Sequence, residues 1–298
     1  LKKSLIWGWK RFDPMILDGW AVQRALKEKL KQEVKVWRSR GIVPSLDILV
    51  WEKGGAAAVY AESLKKFGEG IEAQVRVHQL SMDLASEKVR ELIEELNLKA
   101  DVHGILPLTP FPPHLDKRKL GAFISPLKDV DALNPCTLGE LYLGKSLFSP
   151  STALAVIRLL DFYGIEVEGK KAVILGRSQT VGKPLALLLL NRNATVTVCH
   201  SHTKNLAEVA YQGELLISAM GVPRKVDRSF VRPRSVVVDV GTTVVQGKIL
   251  GDVLWEEVAE VASSVTPVPG GVGPVTTTVL FENLLEAVKI QSEGDQKG

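Results

Sequence analysis

The chain has 298 residues, 45% of them hydrophobic, with a formal net charge of +4. That is enough for two domains of ordinary size and a substantial core. The positive excess is dispersed with no basic block interleaved with aromatics, which argues against a nucleic-acid partner, and no apolar run approaches the ~20 residues of a membrane span. Two cysteines, Cys136 and Cys199, are too few for a disulfide framework and fit a reducing cytoplasm.

Leu1 to Lys10 is basic and briefly apolar, too short for a secretory leader, and receives no function. Met15-Ile16-Leu17 reads as a short edge strand. Asp18 is a candidate N-cap for a helix to about Arg38, with Leu26, Leu30, Val34 and Trp37 at helical spacing. Ser45 to Val50 reads as a buried strand. Gly54-Gly55 breaks the chain before a helix from Ala56 to Phe67, which Gly68 is expected to end. Ile71 to Val77 alternates as a strand does. Ser81 or Asp83 is expected to open a helix through Leu96, and Val102 to Leu106 reads as the next strand. The proline-rich run Pro107 to Pro113 is expected to leave the sheet. Leu115 to Asp131 reads as loop. Within it Lys128-Asp129-Val130-Asp131 would place two carboxylates on one face if extended; solvated loop acids or a helix cap are the alternatives.

Pro150-Ser151-Thr152 opens a helix to Tyr163, ended by Gly164, that is expected to link two domains. Val173 to Lys204 then reads as strand, glycine turn, helix and strand, a βαβ unit. A glycine turn that opens a helix leaves N–H groups for phosphate. Gly176 and Gly182 are not the usual G-x-G-x-x-G, and a bland turn fits the spacing about as well. The second strand ends in His200-Ser201-His202-Thr203-Lys204, with no carboxylate for a ribose hydroxyl. Together with Arg177 this set suits the extra phosphate of NADP; a polar loop capping the next helix is the alternative. Strands at Leu215 to Ile217 and Val236 to Asp239 follow, then Thr266 to Pro274. The Pro269–Pro274 loop combines three glycines with two prolines and is read as a stiff ligand wall, a hairpin or domain-crossing linker being the alternative. An amphipathic helix from about Thr276 to Ile290 closes the chain, with a polar tail from Gln291 to Gly298. Taken alone, Tyr60 reads as a packing aromatic and His103 as a satisfied core histidine. No cluster has metal-ligand spacing.

Across Ile16 to about Val288 the chain resembles the methylenetetrahydrofolate dehydrogenase/cyclohydrolase family. The resemblance rests on Gly176-Arg-Ser-x-x-Val-Gly-Lys-Pro184, Ala194 to Ser201, Val238 to Gly241, Gly251 to Val253 and Thr266 to Pro274. It implies an α/β fold of two α/β domains around a cleft, the second a Rossmann-like NADP-binding domain. Residues 1–149 with 275–298 would form the folate-binding domain, and 150–274 the NADP-binding one. By position, Gly176, Arg177 and Ser178 would hold the NADP phosphates, Ser201 and Arg177 the extra phosphate, and Thr242 would line the nicotinamide side. Pro269, Gly270, Gly271, Val272 and Gly273 would line a tetrahydrofolate-type ligand, Asp131 would hold its pterin ring, and Tyr60 would stack near the reacting carbon. A homodimer is also implied.

The family's oxidation passes hydride from the methylene bridge to the nicotinamide; its hydrolysis adds water to the methenyl cation. Both use a lysine four residues after the tyrosine, where this chain has Leu64. A glutamine of the proline loop is here Leu108, and Lys53, Gly54, Gly55 and Ala57 replace a more polar segment. Lys65 lies about 100° away around the helix and would point elsewhere. The expectation is therefore retained or weakened dehydrogenase with low cyclohydrolase activity. A non-catalytic NADP- and folate-binding paralogue and an unrelated Rossmann oxidoreductase are the competing readings.

Overall fold

The structure, a computed structural model, describes residues 13–51 and 53–294; the segment Leu1 to Lys10 lies outside them. The chain opens with strand β1 (Met15–Ile16) and helix α1 (Gly19–Ser39), the latter capped by Asp18, whose Oδ1 accepts from Trp20 N at 2.9 Å. Strand β2 (Ser45–Val50) is buried along its whole length. Helix α2 (Ala56–Gly70), β3 (Gln74–Gln79), α3 (Ser86–Leu98) and β4 (Gly104–Pro107) follow. These strands form a parallel three-stranded sheet in the order β3-β2-β4.

Several boundaries differ from the expectations. Gly68 does not end α2; it lies buried inside the helix, where a Cβ would come to 2.5 Å from Val75 Cγ2, so close packing on β3 accounts for the glycine. The following strand starts three residues later than Ile71, since Ile71 caps the helix and Glu72 takes a positive φ of 68°. Ser81 does not open α3, because its Oγ accepts from Asp83 N within a turn. Residues 115–131 are not all loop. They contain helix α4 (Lys117–Phe123), and helix α5 (Pro135–Tyr142), which the reading lacked, is capped by Asn134.

Helix α6 (Ser151–Phe162) leads to the second sheet: β5 (Lys171–Leu175), α7 (Gly182–Leu190), β6 (Thr195–Cys199), α8 (Leu206–Tyr211), β7 (Leu215–Ser218) and β8 (Val236–Asp239). The hairpin β9 (Thr243–Val245) and β10 (Lys248–Leu250) projects beyond it, followed by α9 (Trp255–Val258) and β11 (Ser264–Val265). The sheet order is β1-β11-β8-β7-β5-β6, all parallel. The strand nearest the N-terminus thus forms an edge of the second sheet. Strands buried by helices on both faces read as continuous apolar runs, as Val236-Val237-Val238 does.

Helix α10 (Val272–Gly294) closes the chain. It begins four residues before the expected start and extends past Gln291, which donates from Nε2 to the carbonyls of His103 and Leu127. Its Val275 and Val279 pack into the core of the second sheet, and its Phe281, Leu284, Leu285 and Val288 into that of the first. Helix α1 divides in the same way, with Val22 in one cluster and Leu30, Val34 and Trp37 in the other. Two long helices therefore run across both lobes. Among the described residues no helix is long and apolar enough to cross a membrane.

Candidate active site

A cleft of about 430 Å³ lies between the lobes. The first lobe contributes Ala56, Ala57 and Tyr60 from the start of α2, Leu106 to Thr109 and Phe111 from the end of β4, and Asp131. From the other side come Ser151 and Thr152 at the start of α6, Thr180, Thr242, and Thr276 and Leu280 of α10. The β4 strand runs straight into the proline segment, so Leu108 is aimed at the opening by the sheet itself. The Tyr60 phenol is pushed well above its ordinary pKa, first by burial and then by the nearby Asp131 carboxylate, with the Thr277 hydroxyl opposing the shift. It stays neutral at ordinary pH and can act as a hydrogen-bonding group or a stacking face, not as a base.

The two carboxylates of Lys128 to Asp131 do not share a face, because the segment is a turn rather than extended. Asp129 is buried and accepts from the backbone N–H groups of Leu133 and Asn134, each at 2.8 Å. Burial pushes its carboxyl up to about 6. Asp131 alone reaches the cleft, and its Oδ1 accepts from Ser151 N at 2.8 Å. Lys128 is buried the other way, donating to the carbonyls of Leu96 and Lys99.

Leu64 and Leu108 share one apolar cluster, but only Leu108 lines the cleft. Leu64 is 0% exposed, one turn beneath Tyr60. Lys65 and Lys66 are exposed, and Lys66 pairs with Glu62 at 4.0 Å. Among the described residues that line the cleft there is no lysine, arginine or glutamine. His103 is buried, but its Nδ1 has no partner, so it is not the satisfied core histidine expected.

The second lobe supplies a nucleotide-type crevice. Strands β6 and β7 flank β5 on opposite sides, so the crossover direction reverses beside β5. Ligands of such sheets sit at that reversal, beyond the strand carboxyl ends. There Gly176 takes φ 126°, and a Cβ would strike the Ala219 carbonyl, so the loops after β5 and β7 touch. Arg177 and Ser178 are exposed on this turn. Ser178 Oγ accepts from Val181 N at 3.1 Å and Gly182 N at 3.4 Å, fixing the start of α7. Ser201 is exposed at the end of β6. Neither it nor Thr203 caps α8; Thr203 Oγ1 accepts from His200 N instead. An exposed guanidinium and hydroxyls beside a helix N-terminus are donors that match a dinucleotide bearing an additional phosphate.

The buried pair Asp239 and Asp252 holds the neighbouring loops. Asp252 accepts from Ser218 Oγ and the N–H groups of Met220, Gly221 and Val222, and Asp239 from Gly241, Asp252 and Val253. The turn they brace carries Thr242 to the cleft wall. Pro269 to Gly273 do not line the cavity. Gly270 and Gly271 pack against Gly19 and Trp20, with Gly19 N donating to the Gly270 carbonyl at 2.8 Å, while Val272 and Gly273 form the first turn of α10. Ser151, Thr180, Thr276 and Phe111 line the cleft without having been singled out. A hydroxyl residue in a helix-opening triplet is the only mark Ser151 carries in the sequence.

Fold and cleft define a two-lobed α/β protein with a dinucleotide-type second lobe. Residues 150–292 match the NAD(P)-binding domain of tetrahydrofolate dehydrogenase/cyclohydrolase and residues 17–131 its catalytic domain. The chain belongs to the tetrahydrofolate dehydrogenase/cyclohydrolase family. It is 43% identical to the bifunctional protein FolD of Dictyoglomus thermophilum over 92% of this chain and 97% of that one. The crystal structure of the bifunctional enzyme FolD from Campylobacter jejuni superposes with a TM-score of 0.91 at 40% identity, covering 93% of this chain and 99% of that one. The Trypanosoma brucei dehydrogenase-cyclohydrolase, solved with NADP cofactor and inhibitor, gives 0.89 at 34% identity, covering 94% and 98%.

Proposed function

We propose that the protein oxidises methylenetetrahydrofolate to methenyltetrahydrofolate with NADP, and that it hydrolyses the methenyl product slowly. The single observation that carries this reading is the cleft. Its lining joins a neutral phenol and a carboxylate from one lobe to the nucleotide-type crevice of the other, with an aliphatic Leu108 and no ammonium among its described residues. In this reading Asp131 accepts from the N–H edge of the pterin and Tyr60 stacks beside the methylene bridge. Arg177, Ser178 and Ser201 hold the phosphates of NADP, which supplies the hydride acceptor. Hydride transfer depends mainly on proximity and alignment. Water addition depends on groups that hold and deprotonate the water, typically worth ~10² or more each. We place the enzyme in the cytoplasm as a homodimer; gel filtration with light scattering tests the second point.

The same aliphatic lining favours a second reading, a paralogue that binds NADP and folate without turnover. A two-step assay on purified protein separates them. Reduced nicotinamide absorbance should rise with methylenetetrahydrofolate and NADP, while methenyltetrahydrofolate should decay little above its uncatalysed rate. Binding of both ligands with no absorbance change would establish the paralogue, and rapid hydrolysis would sink the claim of a disabled second step.

A further inference from the structure

Beside the cleft a second cavity of about 370 Å³ opens between the lobes. The turn before α5 and α5 itself form one wall, with Leu133, Leu138 and Leu141, and α7 forms the other, with Pro184 and Leu187. Of their lining residues the two cavities share only Leu133 and Thr180. On α7 the residues Lys183, Pro184 and Leu187 lie on one side, and Leu187 stands about 6 Å further along the axis than Lys183. The second cavity therefore runs down between the two helices, away from the nucleotide-type crevice at the strand ends.

Small-molecule sites of this size combine apolar walls with a few polar groups at fixed points. Here those groups are Gln179, Thr180 and Lys183, all from the segment that opens α7. No carboxylate lines the cavity. Lys183 is exposed, and its ammonium has no hydrogen-bond or ion-pair partner among the described residues. Leucine walls with one ammonium at the rim complement a compact apolar anion. A dinucleotide or a sugar would leave most of its polar groups unmet there. We propose that this cavity is a regulatory site for a small aromatic carboxylate, whose ring lies among Leu138, Leu141 and Leu187 and whose carboxylate accepts from Lys183 Nζ. Such a ligand touches α5 of the first lobe and α7 of the second. Its binding is thereby linked to the separation of the lobes and to any ligand held between them. The assignment does not depend on which substrate the cleft takes.

The test uses full-length protein and equilibrium titration with three probes: 2-naphthoate, its neutral counterpart 2-naphthamide, and NADP. Wild type should bind both naphthalenes, the naphthoate more tightly. Lys183→Ala should weaken naphthoate about tenfold or more, the value of one charge-assisted hydrogen bond, and naphthamide by less than about twofold. Lys183→Arg should keep most of the naphthoate affinity. Leu187→Trp, which sets an indole in the cavity, should abolish binding of both. Thermal melts check folding, and Leu138→Phe takes its place if it fails to fold. Saturating NADP should shift the naphthoate affinity by a finite factor of about five or more, and naphthoate should shift the NADP affinity by the same factor. Equal losses of the two naphthalenes in Lys183→Ala, undiminished binding in the filled variant, or no naphthoate binding by wild type would each overturn the site. Displacement by NADP that grows without limit would make the cavity part of the cofactor site, and no shift at all would remove its regulatory role; either result overturns the proposal. All of these outcomes leave the dehydrogenase reading standing.

Discussion

Tyr60 and Leu64 stand one turn apart on α2, yet the structure gives them different surroundings. The phenol faces the cleft beside Asp131, and the leucine is sealed in the core below. Leu108→Gln should therefore place its amide in the cleft directly, whereas Leu64→Lys must bury an ammonium before it can serve. Methenyl hydrolysis is expected to rise in Leu108→Gln and further in the double variant, toward ~10²-fold. Leu64→Lys alone should lower the urea midpoint, with a cost of several kcal/mol from the desolvated charge. Unchanged hydrolysis in the double variant would show that these positions do not limit the step. Arg177, exposed on the turn after β5, tests the cofactor. Arg177→Ala should raise the KM for NADP about tenfold or more, since a charge-assisted hydrogen bond is worth ~1.5–3 kcal/mol. The KM for NAD should move much less, and equal shifts for the two cofactors would dissociate Arg177 from the extra phosphate.

Among the elements, α10 does more than fill the core. Its Asn283, 5% exposed, donates from Nδ2 to the carbonyl of Val130 at 2.7 Å and of Ser149 at 3.0 Å. Those carbonyls stand just before Asp131 and two residues before Ser151, so one amide ties both cleft-lining segments to the helix that spans the lobes. Asn283→Ala would leave two carbonyls unmet and should cost ~2–3 kcal/mol in chemical denaturation. It should also raise the KM for the folate substrate more than that for NADP. Retention of full stability would mean that water or a shifted neighbour replaces the amide. The short elements explain why parts of this architecture were hidden. Helices α4, α5 and α8 span one or two turns and carry too few apolar repeats to show a period, although Asn134-Pro135 is a legible start signal for α5.

At the scale of the whole molecule, buried acids set how stability follows pH. Asp129 and Asp239 are both raised to about 6, by burial above all. An acid whose folded pKa exceeds its unfolded value of about 4 contributes fully below that value and loses the contribution as pH rises through 6. Asp47 behaves in the opposite sense. Though burial works against it, hydrogen bonds from His78 and Arg76 lower its pKa, so its contribution is present above about pH 4 and lost below. His103, lowered by burial, also loses its contribution as pH falls below its unfolded value of about 6.5. Comparing each variant with wild type isolates the raised acids. Between pH 4 and 7, Asp129→Asn and Asp239→Asn should each gain stability relative to wild type, by up to about 3 kcal/mol, read from urea midpoints. A pH-independent difference would refute the buried-acid account. What the amino-acid order determined by itself was the alternation of strands and helices, the Asp18 cap, the turn at Gly176 and the family, because period, capping and motif spacing are carried by neighbours in the chain. Only the tertiary structure decided that Asp131 and not Asp129 faces the cleft, that Leu64 lies beneath it, that Pro269 to Gly273 brace α1 while Ser151 lines the cavity, and that α1 and α10 serve both lobes. Each of those outcomes depends on packing between residues distant in sequence, which no local pattern encodes.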